Sequence, residues 1–121
     1  MKILLVDDDE EALLIAGFAL EGDRRFTCSS ALGGLAGLAK ARLEKPDAIL
    51  TDYRMANMDG LQMMKSILAI PNLHATRFLF FTGNRDKRLH ETFIAAGAMG
   101  VLAKPFDPST LAEDIFGILV A

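Results

Sequence analysis

Hydrophobic residues along the chain form short blocks, separated by longer stretches in which apolar positions recur every three or four residues. Blocks of this length are typical of buried strands, whereas the longer spacing is typical of amphipathic helices. The run Phe78–Phe81 has no polar position, which indicates a strand buried on both faces. The five predicted strands are Lys2–Val6, Arg25–Ser29, Ala48–Thr51, Arg77–Thr82 and Met99–Ala103.

Most of the stretches between the strands carry an aspartate that can cap a helix, followed by one apolar face. The predicted caps are Asp8 or Asp9, Asp59, Asp86, and Asp107 with Pro108 at the first helical position. The second stretch, residues 31–43, differs because it contains three glycines. Each glycine costs up to about 1 kcal/mol relative to alanine inside a helix. We therefore expect this helix to be short, late-starting or mobile.

Strands that alternate with helices predict βαβ units, whose crossovers are right-handed almost without exception. The predicted fold is α/β, a doubly wound five-stranded parallel sheet with helices on both faces. A common strand order for such sheets is 2-1-3-4-5, with a ligand crevice outside the carboxyl ends of strands 1 and 3. A chain of 121 residues can build one core, so we expect a single domain over residues 1–121 with no output domain.

Composition narrows the possible functions. The longest apolar stretch, Ala12–Leu20, is far shorter than the roughly 20 residues of a membrane span. No signal-peptide core is present at the amino terminus, so we expect a cytoplasmic protein that does not enter membranes. The net charge of −3 argues against direct binding of nucleic acid. Cys28 is the single cysteine, which excludes an internal disulfide and a cysteine-based zinc site.

Polar residues collect where the predicted strands end. Strand 1 ends in Asp7-Asp8-Asp9, strand 3 in Asp52, strand 4 in Thr82 and strand 5 in Lys104. In the order 2-1-3-4-5 these four strands are neighbours, so their ends share one edge of the sheet.

Carboxylates brought together in this way repel one another, and one lysine offsets only part of their charge. Mg²⁺ prefers such oxygen ligands and commonly binds beside a phosphate oxygen. Carboxylates also act as nucleophiles toward phosphoryl groups. The pattern therefore predicts Asp52 as a phosphoryl acceptor, with Asp7 and Asp8 holding the metal and Thr82 and Lys104 contacting phosphoryl oxygens.

Four segments together resemble the receiver domain of two-component response regulators, the CheY-like family with a flavodoxin-like fold. They are Ile3–Asp9, Asp52–Gly60, Thr82-Gly83 and Lys104–Phe106.

The resemblance implies roles for individual residues. Asp52 would be the phosphorylation site, and Asp7 and Asp8 the acidic pair, with Asp8 binding Mg²⁺ more directly. The backbone carbonyl of Arg54 would be a further metal ligand. Thr82 and Lys104 would be the switch hydroxyl and the active-site lysine, and the Lys104–Pro105 peptide bond is often cis in such domains.

The partners implied by the resemblance are a sensor histidine kinase or histidine phosphotransferase, and an output domain or separate target protein. Phosphorylation would act on the face formed by helix 4, strand 5 and helix 5.

Two positions depart from the family pattern. Ala56 stands where proline is usual, and Val101 where many members carry a switch aromatic, so Val101 is an altered switch position. We predict that Arg54 and Asn84, which flank the site, set the lifetime of the phosphoryl group by controlling water access.

Two other functions fit parts of the pattern. A degenerate receiver would bind partners without phosphorylation, and Val101 is compatible with that. A small phosphatase of the haloacid-dehalogenase type would use Asp7 and Asp9 on strand 1, but it would leave Asp52 unexplained and would lack a cap domain.

Overall fold

A computed structural model describes residues 1–121 as a parallel five-stranded sheet with helices on both faces. The strand order is β2-β1-β3-β4-β5 and every pairing is parallel, as predicted. A short 3₁₀ turn, Pro71–Leu73, precedes β4. The main elements are β1 Lys2–Asp7, α1 Glu10–Leu20, β2 Thr27–Leu32, α2 Gly34–Glu44, β3 Ala48–Thr51, α3 Gly60–Leu68, β4 Arg77–Thr82, α4 Lys87–Ala96, β5 Gly100–Ala103 and α5 Leu111–Leu119.

The sheet separates two hydrophobic layers, because successive side chains of a strand point to opposite faces. In β4, Phe78 and Phe80 face the layer covered by α2, α3 and α4, whereas Leu79 and Phe81 face the layer covered by α1 and α5. All four side chains are fully buried. This explains the uninterrupted apolar run in β4. None of the helices has the length and apolarity needed to cross a bilayer.

The boundaries of β2 and α2 differ from those predicted. The strand is Thr27–Leu32 rather than Arg25–Ser29, and α2 begins at Gly34, which confirms the late start but not a short helix. A Cβ on Gly34 would collide with the carbonyl oxygen of Met58, and one on Gly37 would lie 2.7 Å from Met63 Sδ. These glycines let α2 pack closely on its neighbours, which offsets their low helix propensity.

Helix α5 begins at Leu111, later than expected from a cap at Asp107. Thr110 occupies the cap position, and the Asp107 carboxylate instead accepts hydrogen bonds from the backbone N–H and hydroxyl of Ser109. That prediction was wrong because Asp107 closes a turn of its own before the helix. The other caps are as predicted, with Asp9, Asp59 and Asp86 accepting hydrogen bonds from backbone N–H groups.

Candidate functional site

The four predicted strand ends meet at one edge of the sheet. Asp7 is the last residue of β1 and Thr82 the last of β4, while Asp52 and Lys104 directly follow β3 and β5. The ladder continues one residue past the strands, since the Asp52 N–H donates to the Val6 carbonyl at 3.0 Å and the Lys104 N–H donates to the Thr82 carbonyl at 3.0 Å. Backbone hydrogen bonds therefore fix the points on the sheet edge from which both side chains extend.

Three carboxylates form the acidic part of the site. Oxygen atoms of Asp7, Asp8 and Asp52 all lie within 4.8 Å of one another. Asp7 is fully buried and Asp8 is exposed, so the cluster runs from the core to the surface. The buried Asp7 is oriented by the backbone N–H of Asp9, which donates to its Oδ1 at 2.9 Å.

Lys104 bridges two of these carboxylates. Its Nζ lies 2.7 Å from Asp7 Oδ2 and 3.3 Å from Asp52 Oδ2, and 4.9 Å from the centre of the Phe81 ring. Partial burial disfavours the ammonium, but the hydrogen bond to Asp7 and the charge of Asp52 outweigh it and raise the pKa of Lys104. Lys104 is therefore a cation held at the centre of the site.

Asp52 lies between the buried and exposed parts of the cluster. Its side chain is 16% exposed, and its Oδ1 accepts a hydrogen bond of 2.8 Å from the Tyr53 N–H. Burial raises the pKa of Asp52 above its ordinary value; Lys104 opposes this effect and the charge of Asp7 adds to it. An accessible carboxylate in such surroundings is typical of a functional site.

The donor set fits Mg²⁺. Three carboxylates face a single ammonium, so the site carries excess negative charge that a divalent cation would neutralise. The carbonyl of the exposed Arg54, two residues after Asp52, accepts no hydrogen bond within the chain. Hard oxygen ligands of this kind, with room for water, are those that Mg²⁺ prefers.

Thr82 and Asn84 lie at and after the carboxyl end of β4. Thr82 is buried, and its Oγ1 accepts a hydrogen bond of 3.1 Å from the Asn84 N–H. The hydroxyl makes no hydrogen bond with Asp52 or Lys104. Thr82 thus ends β4, as predicted, and Asn84 lies on the loop that follows it.

Arg54 and Val101 were also predicted to belong to the site. Arg54 makes no ion pair; its guanidinium lies 5.8 Å from the centre of the Tyr53 ring, and with Asp8 and Ala56 it lines a shallow cleft. Val101 is half-buried in β5, paired with Phe80, and packs against the core layer beneath α3 and α4. It therefore lies two residues before the carboxyl end of β5.

Three features of the site were not predicted from the sequence. The Tyr53 N–H binds Asp52, and a Cβ on Gly60 would collide with the Asp52 carbonyl oxygen. His90, which no sequence pattern connects with the site, has its Nε2 2.7 Å from the Asn84 carbonyl oxygen. Its position six residues after Asn84, in the first turns of a capped helix, is the signal that could have suggested this contact.

Comparison with known proteins agrees with this geometry. Residues 3–116 match the family described as the response regulator receiver domain. The chain is 32% identical over 125 residues to the probable chemotaxis protein CheY of Rhizobium etli, covering 98% of this chain and 95% of that protein. It is also 32% identical to the transcriptional regulatory protein PrrA of Mycobacterium leprae, of which it spans only 49%.

Solved structures give the same result. The chemotaxis response regulator CheY4 of Vibrio cholerae superposes with a TM-score of 0.88 at 29% identity, covering 97% of both chains. A response regulator from Chloroflexus aurantiacus superposes with a TM-score of 0.87 at 28% identity, covering 99% of this chain and 98% of that one. With its acidic cluster at the carboxyl edge of a 2-1-3-4-5 sheet, the chain belongs to the receiver domains of two-component response regulators.

Proposed function

We propose that Asp52 accepts a phosphoryl group from a phosphohistidine of a sensor histidine kinase or histidine phosphotransferase. The observation that carries this proposal is the convergence of Asp7, Asp8 and Asp52 within 4.8 Å, with Lys104 bridging two of them. Of these carboxylates, Asp52 combines partial exposure with a position at the middle of the sheet edge.

The proposed transfer is a displacement at phosphorus. A carboxylate oxygen of Asp52 forms the new O–P bond as the P–N bond to the donor imidazole breaks, and the imidazole leaves with the bonding electron pair. Lys104 then pairs with one phosphoryl oxygen, and the Thr82 hydroxyl donates to another. Asp7, Asp8, Asp52 and the Arg54 carbonyl would hold Mg²⁺, which supplies neutralisation of the charge on the transferring group.

The proposed output is a change in conformation. A dianion on Asp52 attracts the Thr82 hydroxyl at the end of β4 and the Lys104 ammonium directly after β5. The surface of α4, β5 and α5 then presents a different face to an output domain or separate target. We propose that residues 1–121 work as one receiver domain in the cytoplasm, without binding nucleic acid directly and without turning over a separate substrate.

Intact mass spectrometry tests the acceptor. After incubation with Mg²⁺ and acetyl phosphate, we expect wild type to gain the mass of one phosphoryl group and Asp52→Asn to gain none. Asp114→Asn, an exposed aspartate on α5, is the matched control and should behave as wild type. A folded wild type that gains no phosphoryl group would favour a phosphorylation-independent interaction module. Steady release of phosphate with no dependence on Asp52 would favour a phosphatase.

The lifetime of the phosphoryl group is a separate part of the proposal. Arg54 and Asn84 flank the site on two loops, where they can limit the approach of water to the phosphorus. We expect Arg54→Ala and Asn84→Ala each to change the rate at which the phosphorylated protein loses its phosphoryl group. The rate is measured from the decay of the added mass in intact mass spectra. Unchanged decay in both variants would remove this role.

A further inference from the structure

His90 connects α4 to the loop that carries Asn84. Its Nε2 lies 2.7 Å from the Asn84 carbonyl oxygen. A carbonyl oxygen can only accept a hydrogen bond, so Nε2 carries the proton and donates in this contact. The bond joins α4 back to the segment between β4 and the helix, residues 83–86, and the imidazole is half-buried.

Asn84 is held at three points. Its N–H donates to Thr82 Oγ1 at 3.1 Å, its Oδ1 accepts from the Asp86 N–H at 2.8 Å, and its carbonyl accepts from His90. The contacts on the N–H and on the carbonyl form a continuous path from α4 to the hydroxyl of Thr82. A displacement of Thr82 therefore reaches His90 through one residue.

The rest of α4 is weakly anchored. Phe93 is its only buried residue, and its ring stacks on Phe80 with centroids 4.1 Å apart and an interplanar angle of 6°. The same ring meets the edge of Tyr53 at 5.0 Å, and the His90 ring lies 6.4 Å away at 20°. Leu89 and Ala96 of α4 are only partly buried against the same core layer, so the helix can shift with little loss of buried contact.

Val101 bears on how the site is linked to α4. The position contributes no aromatic ring in this chain. Two side-chain contacts that link the site to α4 are those of Phe93 with Tyr53 and of His90 with Asn84. The first is a packing contact at the level of the core. The second is a directional bond to the loop that Thr82 begins.

We propose that His90 is a positioning residue that couples the position of the Thr82 loop to α4 through its hydrogen bond to the Asn84 carbonyl. The inference rests on the proposed phosphorylation of Asp52. When Thr82 is drawn toward a phosphoryl oxygen, Asn84 is displaced with it, and the bond to His90 carries the displacement into α4. Without a donor at position 90, the same displacement of Thr82 moves α4 less.

Two substitutions separate the hydrogen bond from packing. His90→Gln keeps an N–H donor at a similar reach but removes the ring, whereas His90→Leu keeps apolar bulk and removes the donor. His74→Gln is the matched control, because His74 lies after the 3₁₀ turn and contacts only the Pro71 carbonyl.

The test measures amide hydrogen exchange of Lys87–Ala96 with and without beryllofluoride and Mg²⁺, which mimic a phosphoryl group on a carboxylate. We expect wild type, His90→Gln and His74→Gln to change their exchange rates in α4 on beryllofluoride binding. In His90→Leu the change should be about fivefold smaller, as expected for loss of one hydrogen bond, although the variant still takes up beryllofluoride.

Two results would overturn the inference: a wild-type response in His90→Leu, or an equal loss of response in His90→Leu and His90→Gln. Wild type that takes up no beryllofluoride would instead contradict the proposed function, and the coupling with it. Should His90→Leu fail to fold, the Nε2–H resonance of His90 in wild type decides: the coupling requires it to shift on beryllofluoride binding, and an unmoved resonance excludes it.

Discussion

Charged side chains are arranged differently at the amino and carboxyl edges of the sheet. At the amino edge, just before β2, the guanidinium of Arg25 lies 2.7 Å from Asp23, also pairs with Glu113 on α5, and sits 4.5 Å from the centre of the Phe116 ring. At the carboxyl edge, one lysine faces three carboxylates, one of which is fully buried. The amino edge joins elements together, whereas the carboxyl edge keeps charge that its own side chains do not neutralise.

The aspartates at these edges show the consequence. Hydrogen bonds from Arg25 lower the pKa of Asp23 from 3.8 to about 2. Burial instead raises the pKa of Asp52, even though Lys104 is nearby. The ionised form of an aspartate is thus stabilised at the amino edge, in Asp23, and destabilised at the carboxyl edge, in Asp52. Such a difference distinguishes a structural ion pair from a site that binds a cation or a group.

The largest effect expected from this comparison follows removal of the bridging cation. Lys104→Met leaves the buried carboxylate of Asp7 without its partner, because the Nζ–Oδ2 contact of 2.7 Å is lost. We expect a loss of about 2 to 3 kcal/mol in the free energy of unfolding, below the roughly 3 to 5 kcal/mol for a fully buried pair, because Lys104 is partly exposed. Urea unfolding in EDTA at neutral pH measures it. The matched change, Arg25→Met, should cost less, and an equal or greater loss would refute the contrast.

Magnesium should stabilise the protein by binding at the carboxyl edge and not at the amino edge. At a Mg²⁺ concentration ten times its dissociation constant, binding to the folded state raises the free energy of unfolding by about 1.4 kcal/mol. We expect thermal melts to show this increase in wild type and in Asp23→Asn, and to lose most of it in Asp8→Asn, whose exposed side chain is not needed for packing. Equal stabilisation of all three proteins would mean that the ion binds elsewhere.

A smaller effect, opposite in sign to that of Lys104→Met, is expected for Asp52→Asn without metal. Because burial raises the pKa of Asp52, its ionisation costs stability as the pH rises from the ordinary carboxyl range through the raised value. The amide removes that cost, and we expect a gain of about 1 kcal/mol at neutral pH. Urea unfolding in EDTA against pH should show the two proteins converging in acid. A less stable variant at neutral pH would show that Lys104 outweighs the burial of this carboxylate.

Much of the fold and site could be predicted because both follow from local patterns. The apolar runs Ala48–Thr51 and Arg77–Thr82 are bounded by polar residues, and the strands have those same limits. Parallel strands place their carboxyl ends together, so residues 45 positions apart along the chain, such as Asp7 and Asp52, could be assigned to one site.

What the sequence did not reveal depends on contacts between elements. The limits of β2 follow from its register with β1, in which Lys2 pairs with Thr27, and an edge strand rich in serine has no strong apolar pattern. Glycine is needed at position 34 because the carbonyl oxygen of Met58, on a neighbouring segment, occupies the space that a Cβ would take. The bond from His90 to Asn84 requires the path of the loop between them, which no periodicity encodes.

The smallest effect expected is at the amino edge in acid. The lowered pKa of Asp23 means that its ion pair contributes stability above pH 4, and that this contribution disappears as the pH falls toward about 2. Asp23→Asn should therefore be slightly less stable than wild type at neutral pH, and the two urea unfolding curves should merge near pH 2. Because the pair is partly exposed, the difference at neutral pH should shrink in high salt. The contrast between the edges requires the acid dependence of Asp23 to run opposite to that of Asp52, so a stability difference between Asp23→Asn and wild type that grows toward pH 2 would contradict it.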